Sequence, residues 1–164
     1  VNALVASSSV LVPTQTEFLS LKGLEGMVRT FSIMKKADAA CNINYTIVPT
    51  MYDKRTKASR TSLDFLKAHY KDNLWNKQIP IDTLFRESSQ IGMPITMLDS
   101  KCRGAVAYHE LLVDIISKEL KSNPERVTPN VAAIVNLKDD ETVATQKEHN
   151  DIDLVANDMG SMLN

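Results

Sequence analysis

The chain lacks a glycine-rich phosphate loop. Its only five glycines are Gly23, Gly26, Gly92, Gly104 and Gly160, and none stands in a GxxxxGK or GGxxKT context. The backbone amides and lysine that cradle a nucleotide's phosphates at a helix N-terminus are therefore not encoded here. Long hydrophobic runs are missing too. None approaches the roughly 18 to 20 residues of a membrane span, and no basic stretch leads into an apolar signal core. A cytoplasmic location is the expectation. The two cysteines, Cys41 and Cys102, lie far apart without CxxC spacing, which suggests neither a disulfide framework nor a zinc site; both read as small core or helix-face residues. His69, His109 and His149 are scattered with no HExxH pairing, so they read as surface histidines rather than metal ligands. Ser7-Ser8-Ser9 has no GxSxG turn to expose a nucleophile and reads as a loop. The seven methionines form no stripe at helical spacing, and Met27 and Met34 fit core packing.

What is present suits one compact domain: 164 residues, 43% apolar and 24% charged. The sequence opens at Val1 in an apolar segment without a methionine, which reads as a fragment whose start lies upstream. Net charge is −1, unevenly distributed. Residues 1–120 carry 15 Lys/Arg against 12 Asp/Glu, and residues 121–164 carry 4 against 8. The break near Ser122 sets the expected boundary between a domain at 1–120 and an acidic, flexible tail at 121–164, although Val131 to Leu137 is apolar enough to dock as a strand or short helix.

Short β-rich runs alternate with longer runs of helical period. Ser9 to Pro13 is a strand candidate, and Phe18, Leu21, Leu24, Val28 and Phe31 then recur at spacings of three and four. Asn44 to Val48 is a second strand, followed by a helix with Leu63, Leu66 and Tyr70 on its buried face. Leu74 to Ile79 is a third strand and Ile95 to Leu98 a short fourth. The last helix, Cys102 to Leu120, repeats Ala105, Tyr108, Leu111/Leu112, Ile115/Ile116 and Leu120 on one face. Strands separated by such helices predict an α/β fold, a parallel sheet with flanking helices.

In an open parallel sheet, ligands bind at the carboxyl ends of the strands. The strand exits here are Pro13-Thr14-Gln15, Thr50-Met51-Tyr52-Asp53 and Pro80-Ile81-Asp82. They also suit ordinary turns and N-caps, where Pro, Thr and Asp are common. Just after the second exit, Lys54, Arg55, Lys57 and Arg60 place four cations in seven residues, joined along the chain by Arg86, Lys101 and Arg103. Such a cluster is either a solvated face or a contact surface for a phosphate backbone read without regard to sequence.

The exits carry a family resemblance. Val10-Leu11-Val12-Pro13-Thr14-Gln15, Glu17-Phe18 and Leu21-Lys22-Gly23-Leu24, then Thr50-Met51-Tyr52-Asp53-Lys54-Arg55-Thr56, then Ile79-Pro80 with Phe85-Arg86-Glu87, and finally Gly92-x-Pro94, Asp99-x-Lys101, Arg103-Gly104-Ala105 and Tyr108 follow one another as in the ParA/MinD (Soj-like) family of partitioning and positioning ATPases. Over residues 1–120 the chain resembles the C-terminal half of such a protein. The departures are Ile81-Asp82, where many members have Arg-Asn, and Ser88-Ser89, where they have Ala-Pro. This variant resembles gammaproteobacterial ParA-like proteins, including those that position chemotaxis arrays, so the cargo stays open.

The resemblance implies a doubly wound P-loop-type (deviant Walker) domain lacking its N-terminal half. It also implies use of ATP and Mg, with phosphate and metal ligands outside this chain. Thr50, Met51, Pro80, Ile81 and Asp82 would form the nucleoside edge, although Met51 and Ile81 also suit a sheet-edge core. Arg55 and Arg86 match arginines associated in the family with nonspecific DNA binding. The implied partners are nucleoid DNA, a ParB-like or polar-landmark activator and a second copy in an ATP-bound homodimer; no membrane is implied. The expected function is partitioning or subcellular positioning through ATP-dependent dimerisation and DNA binding, at the nucleoid or a pole. The alternative is a non-catalytic module that binds DNA or a partner.

Overall fold

The computed structural model describes residues 3–4, 7, 9–37 and 43–122. The expectations for Cys41, Val131 to Leu137, His149 and the tail beyond 122 lie outside the described residues. The chain divides into two units, 1–108 and 109–164. The first holds β1 (Val10–Gln15), α1 (Phe18–Ala37), β2 (Tyr45–Thr50), α2 (Lys57–His69), a 3-10 turn (Lys71–Asn73), α3 (Leu84–Ile91) and α4 (Ile95–Leu98). The last helix, α5 (Arg103–Ser122), begins in the first unit, and its turns from His109 onward belong to the second.

β1 and β2 pair in parallel, with Val10 opposite Tyr45 and Gln15 opposite Thr50. A two-residue hairpin cannot join parallel strands, so α1 makes the crossover. Its apolar residues recur at helical spacing, and Leu21, Leu24 and Phe31 are buried with Val12, Ile47 of β2 and Leu66 of α2 in one core. Burying each such side chain contributes roughly 1.5–3 kcal/mol. Phe18, expected on that face, is instead 68% exposed beneath the Lys22 ammonium, and Met27 is 44% exposed. α2 starts at Thr56, whose hydroxyl accepts the Ser59 N–H at 3.3 Å, a capping bond that satisfies one of the helix's free amides.

The segment from Leu74 to Ile79 runs parallel beside β2 without becoming a regular strand. It bridges at Ile47–Leu74 and Tyr52–Pro80, with Trp75 N–H donating to Ile47 O (2.9 Å) and Ile79 N–H to Pro49 O (2.8 Å). A bend at Asn76 and Lys77 interrupts the ladder between these points. Ile95 to Leu98 is not a strand. Pro94 opens a single helical turn there, with Met97 N–H on Pro94 O (2.9 Å) and Asp99 N–H on Ile95 O (2.9 Å). An apolar run of four residues carries no period that separates a strand from one turn of helix. α3 takes in Phe85-Arg86-Glu87 and stops at Gly92, whose φ of 66° gives the left-handed C-terminal cap that glycine adopts without penalty.

Candidate functional site

Both exits beside β2 lie at the carboxyl edge of this parallel arrangement. At the first, the chain leaves Thr50 through Met51, whose φ of 53° puts a non-glycine residue in the left-handed region. A chain of hydrogen bonds holds it there. Tyr52 N–H donates to Ile79 O (3.0 Å) and Asp53 N–H to the Ser59 hydroxyl (3.1 Å). The Ser59 and Thr16 hydroxyls bond each other, and Thr16 Oγ1 lies 3.5 Å from the carbonyl oxygens of Thr50 and Met51. One proton assignment satisfies all of these: Ser59 donates to Thr16, and Thr16 donates to the carbonyls. Thr16 and Ser59 are buried, where an unpaired hydroxyl would be costly, and no buried side-chain N or O among the described residues lacks a partner.

The loop beyond carries the basic cluster. Arg55 folds back on Asp53, with Nε to Oδ1 at 3.0 Å and Nη2 to Oδ2 at 2.8 Å, while the Arg55 N–H donates to Oδ1 at 2.9 Å. These bonds, with the charges of Arg55 and Arg103, hold the Asp53 carboxyl down at about 2, and Asp53 in turn raises Arg55. Arg60 Nη1 donates to Lys54 O at 2.8 Å, tying the loop to α2. Lys54, Arg55 and Arg103 line one cleft of about 480 Å³ with Tyr52, Asp53, Pro80 and Ile81, and Arg103 Nη2 reaches Ile81 O at 3.5 Å.

At the other exit, Asp82 accepts the Leu84 N–H on Oδ1 (3.1 Å) and the Gly104 N–H on Oδ2 (3.0 Å). One carboxylate thus serves the starts of two helices, where negative charge is favoured. Gly104 allows that approach, since a Cβ on it would sit 2.6 Å from the Phe85 ring. Phe85 meets Tyr108 edge-on at 5.6 Å. Met51, Ile79, Ile81, Phe85 and Tyr108, with Asp82, Thr83 and Arg86, line a mostly apolar cavity of about 210 Å³. The two hollows share Ile81 and Thr83.

The residues singled out in the sequence therefore separate. Met51, Ile81, Asp82 and Arg86 line the apolar cavity; Pro80, Ile81, Lys54, Arg55 and Arg103 line the basic cleft. Thr50 lines neither hollow, its carbonyl accepting the Thr16 N–H at 3.1 Å. Lys57 lines a separate groove with Phe18 and Phe65, between α1 and α2. Lys101 is exposed in the turn before α5. Sequence reasoning missed Thr16, Ser59 and Phe85 as site-forming residues. Nothing local marks the Thr16–Ser59 pair, whose members stand 43 positions apart, whereas Asp82 followed by Thr83 and an amphipathic run was a readable helix start.

No catalytic dyad or metal set stands in these hollows. Among the described residues no group of three His, Cys, Asp or Glu side chains is placed to hold a metal ion, and no helix is long and apolar enough to cross a membrane. The two hollows set a mostly apolar cavity beside a cleft lined by Lys54, Arg55 and Arg103. The chain forms an α/β unit, two parallel strands with flanking helices. No protein-family model matches the chain. It is 34% identical over 119 residues to the chromosome partitioning protein ParA of Caulobacter vibrioides, covering 73% of this chain and 45% of that protein. The chromosome-partitioning ATPase Soj of Treponema pallidum is 30% identical over 121 residues, or 72% of this chain and 47% of that protein. The sporulation initiation inhibitor protein Soj of Bacillus subtilis is 30% identical over 115 residues, 70% and 46% of the two chains. The chain spans about half the length of the curated relatives it matches, and over that stretch it is ParA/Soj-like, corresponding to their C-terminal half.

Proposed function

We propose that residues 1–120 are the C-terminal half of a P-loop-type ParA-like ATPase domain and that residues 121–164 are an acidic tail. The whole protein would partition DNA or position a cargo through ATP-dependent dimerisation and sequence-independent DNA binding on the nucleoid, released by a ParB-like or polar-landmark activator. The observation that carries this reading is the pairing of an apolar cavity with a basic cleft at adjacent strand exits, in a chain similar to chromosome partitioning proteins. Half of β1's residues face away from the core, including Leu11 at 44% exposure. Parallel sheets are normally covered on both faces, so a further half-domain against β1 fits the same reading.

The cavity sets what part of a nucleotide this half would take. Its 210 Å³ lies below the roughly 300 Å³ at which ligand pockets usually begin. It suits a base and not a triphosphate. Met51, Ile81 and Phe85 would pack on the base and exclude water from it, with Asp82 held in place by its two amides. Bound ATP with Mg would supply the phosphoryl group whose hydrolysis resets the dimer, and its phosphate and metal ligands belong to the other half. Arg55, in the loop after β2, and Arg86, in the first turn of α3, would meet a DNA backbone.

The test is DNA binding by the full-length protein with ATP. Arg55→Ala and Arg86→Ala should each weaken binding to unrelated duplexes about equally and lower the salt slope by roughly one unit per lost phosphate contact. Nucleotide-dependent dimerisation should survive. Wild-type affinity in the double variant at low salt would defeat the DNA assignment.

A further inference from the structure

Arg55 is 79% exposed, yet its side chain is not loose. The Asp53 carboxylate engages it side-on, through Nε and one hydrogen of Nη2. A guanidinium carries five N–H donors in a rigid fork. Side-on pairing leaves the end-on edge, one hydrogen of Nη1 and the second of Nη2, turned away from the carboxylate. That edge matches a second pair of oxygens, and a phosphate diester supplies such a pair.

Asp53 is itself fixed. Its N–H donates to the Ser59 hydroxyl, its Oδ1 also accepts the Arg55 N–H, and its side chain is 16% exposed. Arg103 adds a second positive field at the same carboxylate. We propose that Asp53 is a positioning residue for DNA: it immobilises Arg55 so that the end-on edge of the guanidinium is presented to one backbone phosphate. This rests on the DNA-binding reading above and goes further by giving a binding task to a carboxylate, the residue type that charge alone would count against an anionic ligand.

Two effects of Asp53 oppose each other, and their sizes decide the sign. Ordering a rotamer-rich side chain before binding is worth about a twofold to tenfold gain in affinity. Repulsion between the carboxylate and the phosphate works against it and weakens as salt shortens the screening length to about 10 Å at 0.1 M. Positioning therefore prevails at moderate salt, while repulsion grows as salt is withdrawn.

The experiment measures binding of the full-length protein, with ATP, to an arbitrary 60-base-pair duplex by fluorescence anisotropy. Asp53→Ala should bind about threefold or more weakly than wild type near 0.1 M salt, although it removes a negative charge, and the deficit should shrink at lower salt. In an Arg55→Ala background the sign should reverse. With no guanidinium to hold, Asp53→Ala should leave binding equal or tighter. Asp53→Asn, which keeps the oxygen that accepts Nε and the Arg55 amide, should recover most of the loss. A general folding defect would lower binding in both backgrounds, and a thermal transition on each variant records it directly. If Asp53→Ala binds as well as or better than wild type at 0.1 M while Arg55→Ala binds worse, the positioning role is overturned and the DNA reading stands. If Arg55→Ala has no effect, the DNA reading itself fails.

Discussion

Two aspartates open the two exit loops in the same way and end in different roles. Asp53 and Asp82 each stand where the chain leaves the sheet edge, and each accepts on Oδ1 the backbone N–H two residues on, from Arg55 and Leu84. Their second oxygens diverge. That of Asp53 meets the Arg55 side chain at the surface, and that of Asp82 meets the Gly104 amide at the start of α5. The difference separates a carboxylate engaged by a surface side chain from one engaged by backbone amides. An exposed ion pair adds little stability and can be shared with an incoming anion. A carboxylate satisfying two backbone amides is committed, because releasing it strands both donors. Residue type and the bond to Oδ1 are the same at both exits; the partner of the second oxygen, a side chain two positions on or an amide 22 positions on, distinguishes them.

If the Asp82 exit is the structural one, disturbing it should have the largest effect on folding. Gly104→Val drives two methyl groups toward ring carbons that a Cβ would already approach to 2.6 Å. The Phe85 ring must then swing away from Tyr108 and from the cavity. We expect a loss of about 3 kcal/mol, the upper range for overpacking, read from urea denaturation midpoints. Adding Phe85→Ala should recover part of it, since the ring is the obstacle. A fully tolerated valine would mean that the close approach is incidental.

Removing the carboxylate itself comes next. Asp82→Ala leaves the Leu84 and Gly104 amides without their acceptor, and losing such a cap costs about 1–2 kcal/mol. Asp53→Ala should cost less in the same assay, because its second oxygen serves a side chain that can turn to water. Equal costs at the two sites would erase the contrast between the exits.

How much of this could be read in advance follows the same division. The helix faces were legible: Leu21, Leu24 and Phe31, and Leu63 and Leu66, recur at the helical period and are buried. The alternation of strand and helix gave the parallel pairing. Ile95 to Leu98 was misread because four apolar residues carry no period, and Leu74 to Ile79 because a bend inside it breaks the ladder. At the site, the sequence put Lys54 and Arg55 just after the second exit and grouped Arg103 with them by charge. It could not show that Arg55 is held by Asp53, that Lys57 faces another groove, or that Asp82 is spent on amides. Those outcomes depend on Ser59 and Gly104, which the fold brings from elsewhere in the chain.

Acid should act on the Asp53 exit and barely register. The folded carboxyl titrates at about 2 against an ordinary 3.8, so its contribution is fully present above 3.8 and is lost as pH falls toward 2. Asp53→Asn should therefore trail wild type above about pH 4, and the gap should close toward about pH 2. Because the pair is exposed, added salt should narrow the gap as well. A difference unchanged across that window would mean that the ion pair does not persist in solution.

The smallest expected effect sharpens the comparison most, because it concerns the backbone of the exit after β2. Met51 sits at φ 53°, where a side chain costs about 1 kcal/mol that glycine does not incur. Glycine loses about 0.5–1 kcal/mol of its own through the greater freedom of its unfolded chain. Met51 is 46% exposed, so little burial is forfeited. These contributions nearly cancel, and Met51→Gly should shift stability by no more than about 0.5 kcal/mol in either direction. Met51→Val, with a branched Cβ in the same conformation, should lose about 1–2 kcal/mol. The pair of variants separates backbone from side chain. A neutral glycine and a costly valine would establish that the Thr16–Ser59 network holds Met51 in its left-handed turn in solution, so that the side chain is free to serve the cavity. Were valine as well tolerated as glycine, the turn would relax without penalty, and the network around Thr16 and Ser59 would not hold Met51 in its left-handed conformation.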